Sequence, residues 1–276
     1  MQVRAIAMAQ AARGDDVTVI TATPGDPVQD PGVDVIRFDA HLPFETPVHP
    51  FGIRLIREAL ERLQPDVVHV HSGVVSPFAW MGIASAASWP TVVTVHSMWG
   101  SAQQQVFKRV LRREHAFVLT SVSTVAAQAV QRATSRPVLV TPNAIDAAPW
   151  RAPERVAHEG VHIVAALRFA PRKRVVQLMH MLAAVRKRLP ADVQLRATIA
   201  GDGPLMSRAR RIAIEEHLDW VHLVGRVPRT ELPNLYAGAD IFVQPTLAES
   251  FGLAALEARA AAVSYTHLRA HETRHD

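Results

Sequence analysis

Apolar residues fall into short runs and stripes whose period switches along the chain. Residues 1–12 have helical spacing, end at Arg13-Gly14, and are followed by a strand pattern over Val17–Thr21. Leu55, Ile56, Ala59, Leu60 and Leu63 make one helical face, which Pro65 stops. DVVHVH, TVVTVH, AFVLTSVS and PVLVT then read as strands, with Val125–Ala133 helical between the last two. A polar, proline-bearing stretch over residues 143–160, NAIDAAPWRAPERVAHEG, breaks the pattern and reads as a hinge. Alternation then restarts. HIVAAL, VQLRATIA, VHLVG and DIFVQP are strand patterns, each followed by a helical one: Val175–Leu189, Leu205–His217, Glu231–Ala239 and Gly252–Ala261.

Near-continuous valine-rich runs suit parallel strands covered on both faces. Two successive βα arrays predict an α/β protein: two doubly wound, Rossmann-like lobes facing a central cleft. The expected boundaries are a first lobe over 1–147, a hinge over 148–160, a second lobe over 161–262 and a tail over 263–276. No strand pattern precedes the first helix, although an open α/β sheet begins with a strand and a ligand-facing loop. The first strand of lobe one and the last elements of lobe two are therefore expected to be missing. The tail is expected to be foreign, because Val263–Thr273, VSYTHLRAHET, resembles the translation of a transposase sequencing adapter. A histidine-rich metal-binding tail is the competing reading.

Composition narrows the function classes. With 49% hydrophobic and 20% charged residues, the chain is neither disordered, collagenous nor a coiled coil. There is no cysteine, which excludes disulfides and thiolate metal sites and favours a reducing compartment. Lys+Arg number 30 against 25 Asp+Glu, a net charge of +5 that suits acidic ligands or an anionic membrane face. No basic run with interleaved aromatics occurs, which argues against nucleic acid as a partner. Ser72–Phe107 contains no Asp, Glu, Lys or Arg, but Pro77 and Pro90 interrupt it, so it reads as strand, helix and strand rather than a membrane span.

Three segments can carry chemistry. In ESFGLAALE, Glu249 lies after the strand DIFVQP, on the edge where open α/β sheets bind ligands. Ser250, Phe251 and Gly252 would present backbone N–H groups to a phosphate at a helix start. Glu257 lies about 12 Å further along the axis, so the two carboxylates would grip two parts of an extended ligand rather than one metal or proton. A surface helix position for Glu257 is the alternative. In LRFAPRKR, Arg168 and Lys173 occupy a strand-to-helix loop and suit a diphosphate; helix-flanking surface charge is the alternative. In TVVTVHSMWG, His96 ends a strand and is a general base, a hydrogen-bond donor or a core group. His69 and His71 share a strand face, a spacing open to a metal pair but without an evident third ligand. AGDGPL has only Gly201 and Gly203 and reads as a tight turn, not a dinucleotide fingerprint.

In this order, HIVAALRFAPRKR, IAGDGPL and VHLVGRVPRTELPNLYAGADIFVQPTLAESFGLAALEARAA resemble the donor half of a glycosyltransferase family 4 enzyme of the GT-B fold. PDVVHVHSG, VTVHSMWG and TPNAID resemble its acceptor half. The resemblance implies retaining transfer of a hexosyl group from a nucleotide-diphosphate sugar, with no cofactor and no essential metal. It implies that Arg168 and Lys173 neutralise the leaving diphosphate and that Glu249 holds sugar hydroxyls beside the backbone of Phe251 and Gly252. Glu257 would bond the ribose, Arg226 and Val227 would flank the base, and His96 would approach the donor sugar from the acceptor lobe. At family level it further implies a mannosyl or glucosyl donor, a lipid or cell-envelope acceptor, and a cytoplasmic enzyme at the inner face of the plasma membrane. Two other classes compete: a non-catalytic nucleotide-sugar-binding or interaction fragment, and a nicotinamide-dependent oxidoreductase, which the missing dinucleotide fingerprint disfavours.

Overall fold

The computed structural model describes residues 2–23, 30–38, 48–73, 76–97, 117–151, 153–155, 157–247 and 249–267. Residues 98–116, which include the end of the uncharged run at Phe107, and the histidine-bearing tail from 268 onward lie outside them. The chain divides into two units, Met1–Asn143 and Ala144–Asp276.

The first unit opens with α1 (Gln2–Ala11), β1 (Val17–Thr21) and β2 (Val33–Arg37). β1 and β2 pair in parallel, Val17 opposite Val33. The helix α2 (Gly52–Leu63) buries Ile56, Ala59 and Leu60, while Leu63 at its exit is 39% exposed. Then come β3 (Val68–Ser72), α3 (Pro77–Ser85), β4 (Thr91–Val95), β5 (Phe117–Ser121), α4 (Thr124–Thr134) and β6 (Leu139–Val140). β3–β6 form a four-stranded parallel sheet in sequence order. Ser123 caps α4 by accepting from the backbone N–H of Ala126. Parallel register puts Val70, Val93 and Leu119 in one apolar cluster with Val95 and Val130. The opposite face differs from the apolar covering expected of valine-rich strands. Period-two alternation sends His71, Thr94 and Thr120 there together.

The second unit contains α5 (Ala148–Arg151), β7 (Val161–Ala166), α6 (Val175–Arg188), β8 (Leu195–Ala200), α7 (Met206–Glu215), β9 (Val221–Gly225), α8 (Leu232–Ala237), β10 (Ile241–Gln244), α9 (Leu253–Ala260) and β11 (Ser264–His267). Its five strands are all parallel, in the order β11-β10-β7-β8-β9. Alternation along β7 serves both faces. Ile163 and Ala165 join one core with Leu178, Met179, Leu182 and Ile212, whereas Val164 joins another with Trp150, Tyr236 and Phe242.

Two segments set apart in the sequence have a place in the second unit. Within the stretch read as a hinge, α5 inserts Trp150, 4% exposed, into the second unit's core, with its ring 5.5 Å from that of Tyr236. Its polar and proline residues mask one large aromatic anchor. The segment set aside as foreign contributes β11, paired in parallel to β10 from Ile241↔Ser264 to Gln244↔His267. An edge ladder is made by backbone groups, so it accepts almost any extended segment lacking proline.

Candidate active site

The strand order places the second unit's site. β7 and β10 are neighbours, and the chain leaves them toward opposite ends of the sheet, which makes their carboxyl ends a topological switch point. The loop after β7 carries Arg168, Phe169 and the 3-10 turn Pro171–Lys173; the loop after β10 carries Glu249–Gly252. Adjacency of the strands thus joins residues 76 positions apart: Lys173 Nζ donates to Glu249 Oε2 at 2.5 Å. Both side chains are mostly buried, at 23% and 17% exposed, so water weakens their attraction less than at an open surface.

Each loop is braced. Phe169 is fully buried, and its N–H donates to the Asp202 carbonyl at 2.9 Å while its carbonyl accepts from Leu205 at 3.0 Å. The AGDGPL turn therefore pins the loop that carries Arg168 and Lys173. Gly201 makes this approach possible, since at φ +137° an added Cβ would lie 1.8 Å from the Leu167 carbonyl oxygen. On the other loop, Gly252 adopts φ +78° and caps α9, and an added Cβ would lie 3.5 Å from Glu249 Cγ and from Gln244 Nε2.

Of the remaining sequence candidates in this unit, Arg168 is exposed and Phe251 half-buried at their loop positions. Arg226 is exposed and Val227 half-buried immediately after β9. Glu257 is not the surface residue of the alternative reading. It is 5% exposed, and its Oε1 accepts from Arg229 Nη2 at 2.8 Å. Burial pushes its carboxyl above the usual range, and Arg229 pulls it back. The Arg229 guanidinium also lies 5.5 Å from the centre of the Trp150 ring. Sequence reasoning missed both Arg229 and Gln244. The first is one of many arginines, and the second hides inside a strand pattern.

His96 belongs to the first unit. Its Nε2 lies 2.8 Å from Nδ1 of His71, whose ring stacks on it at 5.1 Å. The His69 ring lies 4.0 Å from that of His71 at a tilt of 36°, and its Nε2 reaches Thr94 Oγ1 at 2.6 Å. Burial lowers His71 to about 3 and also depresses His96, so both are neutral near pH 7 and share one hydrogen bond, one ring donating and the other accepting. The three rings pair and stack rather than converge, and among the described residues no group of three or more His, Cys, Asp or Glu is arranged to hold a metal ion.

Family models decide the ancestry. The first half, residues 1–149, matches the model of Glycosyltransferase Family 4, and residues 146–264 match that of Glycosyl transferases group 1. The chain belongs to glycosyltransferase family 4. It is 31% identical over 236 residues to the D-inositol 3-phosphate glycosyltransferase of Pseudarthrobacter chlorophenolicus, covering 74% of this chain and 55% of the relative. It spans about half the length of the curated relatives it matches. In fold it is similar to the sucrose-phosphate synthase of Thermosynechococcus elongatus, with a TM-score of 0.72 at 20% identity over 96% of this chain and 74% of that one. The Anabaena protein HepE, solved with UDP and glucose, gives a TM-score of 0.66 at 17% identity over 86% and 67% of the two chains. Two Rossmann-like units of GT-B type are thus the architecture of this family 4 chain. No helix among the described residues is long and apolar enough to cross a membrane.

Proposed function

We propose that the protein transfers a hexosyl group from a nucleotide-diphosphate sugar to an acceptor hydroxyl with retention of anomeric configuration. The observation that carries this is the Lys173–Glu249 contact at the β7/β10 switch point. A cation and a carboxylate held together there offer one group for a departing diphosphate and one for sugar hydroxyls. In the step, the bond between the anomeric carbon and the diphosphate oxygen breaks, and the electron pair stays on the phosphate. The acceptor oxygen bonds the same carbon on the same face, and its proton passes to the leaving phosphate. Arg168 and Lys173 stabilise the charge that builds on the diphosphate, assisted by the backbone at Phe251 and Gly252. This route needs neither an acid–nucleophile carboxylate pair nor a metal ion. Glu257, ordered by Arg229, receives the ribose, and Arg226 and Val227 flank the base. The donor class is supported by the fold shared with HepE, which was solved with UDP and glucose. A lipid-linked or cell-envelope acceptor at the inner membrane face completes the reading.

The test incubates the chain with radiolabelled UDP- and GDP-hexoses and a panel of lipid and glycan acceptors. Transfer should appear with one donor, the product anomer by NMR should match the donor, and Glu249→Ala should cut turnover at least 100-fold with folding intact. Donor binding without transfer to any acceptor would favour the non-catalytic fragment instead.

A further inference from the structure

Gln244 ends β10 with its side chain buried, at 7% exposed, beside Glu249. Its Nε2 donates to Glu249 Oε2 at 3.3 Å, the same oxygen that takes Lys173. Its Oε1 is buried and has no hydrogen-bond partner among the described residues. Turning the amide over does not relieve this, because it would set an amide oxygen against a carboxylate oxygen. A buried acceptor left unpaired is destabilising, and a leucine of similar size would avoid that cost. The amide also borders Gly252, where an added Cβ would lie 3.5 Å from Nε2 and 3.7 Å from Oε1. A side chain at this position would thus pack directly on the amide, at ordinary contact distance.

We propose that Gln244 is a sugar-recognising residue whose Oε1 accepts a hydrogen bond from a hydroxyl of the donor's hexosyl group, next to the hydroxyl held by Glu249. This rests on the nucleotide-sugar reading above and deepens it. Gln244 Oε1 and the Glu249 carboxylate both accept, so the group they read must present adjacent free hydroxyls as donors. The amide N–H, meanwhile, holds Glu249 in place. Arg168 and Lys173, not Gln244, are the proposed partners of the diphosphate, so loss of Oε1 should tell on the sugar more than on its carrier.

Titration calorimetry of the full chain with UDP-glucose and GDP-mannose, and with free UDP and GDP, tests this. Gln244→Leu and the unbranched Gln244→Met should weaken the nucleotide sugar about tenfold, one hydrogen bond's worth. Both should bind the free diphosphate within twofold of the unaltered chain and melt at the same temperature or higher, since the unpaired buried oxygen is gone. Unchanged nucleotide-sugar affinity overturns the proposal. Equal losses for sugar and free diphosphate overturn it too, and so does a Gln244→Leu loss that vanishes in a Glu249→Ala background, since Gln244 would then only brace Glu249 and Lys173. Lower melting temperatures in both variants would make it a structural residue. If the unaltered chain binds no nucleotide at all, the broader reading falls and takes this one with it; sugar-independent binding that survives in the variants sinks only this one.

Discussion

At the scale of single residues, the histidine array has a measurable cost in acid. His71 titrates near 6.5 when unfolded and at about 3 when folded, because burial disfavours its charged form. The unfolded chain therefore takes up this proton first. Its contribution to stability is complete above pH 6.5 and is lost as pH falls from 6.5 toward 3, at about 1 kcal/mol per pH unit. The melting temperature of His71→Leu should fall less steeply between pH 6.5 and 5 than that of the unaltered chain, by about 2–4 °C per unit. Identical slopes would show that His71 does not titrate this way. These residues also mark where the sequence was legible and where it was not. The alternation in VHVH put His69 and His71 on one face, but period two says nothing about a partner on the next strand. That His96 is the partner of His71 follows only from the register His71↔Thr94, which brings the end of β4 alongside. Gln244 was unreadable for a related reason. Its place in an apolar strand announces burial and gives no sign that one of its atoms is unpaired.

Among elements, α5 is the most exposed to test. Only four residues long, it gains nothing from intrinsic helix propensity. It is held by Trp150 against Tyr236 and by the arginine that also reaches Glu257. Trp150→Ala should cost about 3–5 kcal/mol by equilibrium urea unfolding, the range for a buried aromatic truncated in a core. A flexible linker would lose almost nothing. Strands and long helices were readable because each carries its own period. Within 143–160 the anchoring role of Trp150 was not legible, because one tryptophan cannot establish a period and the polar residues around it gave the signal of a connection. The strand β2 was overlooked although VDVIR alternates, since it is only five residues long and has no predicted helix beside it.

For the whole molecule, the βα alternation was sufficient to give two parallel-sheet units, and the division at Asn143/Ala144 lies close to the break in pattern. Strand order was not readable, because short runs of valine and isoleucine are interchangeable in a ladder. Only the order β11-β10-β7-β8-β9 turns two separate sequence motifs into one Lys173–Glu249 contact. Each unit has its own hydrophobic clusters. Leu182→Ala, which opens a cavity at a fully buried position, should therefore accelerate amide exchange in β7 and β8 and leave β4 and β5 protected. Uniform acceleration across all four strands would mean that the chain unfolds as one.

The distance in sequence between Lys173 and Glu249 has a further consequence for how the molecule comes into being. During synthesis, the lysine emerges 76 residues before the carboxylate that holds it, so no ligand can find both until β10 has slipped in beside β7. Occupancy of this spot would thus report that the sheet has closed, and a nucleotide that binds there would act as a late clamp on a finished fold rather than a template for an unfinished one.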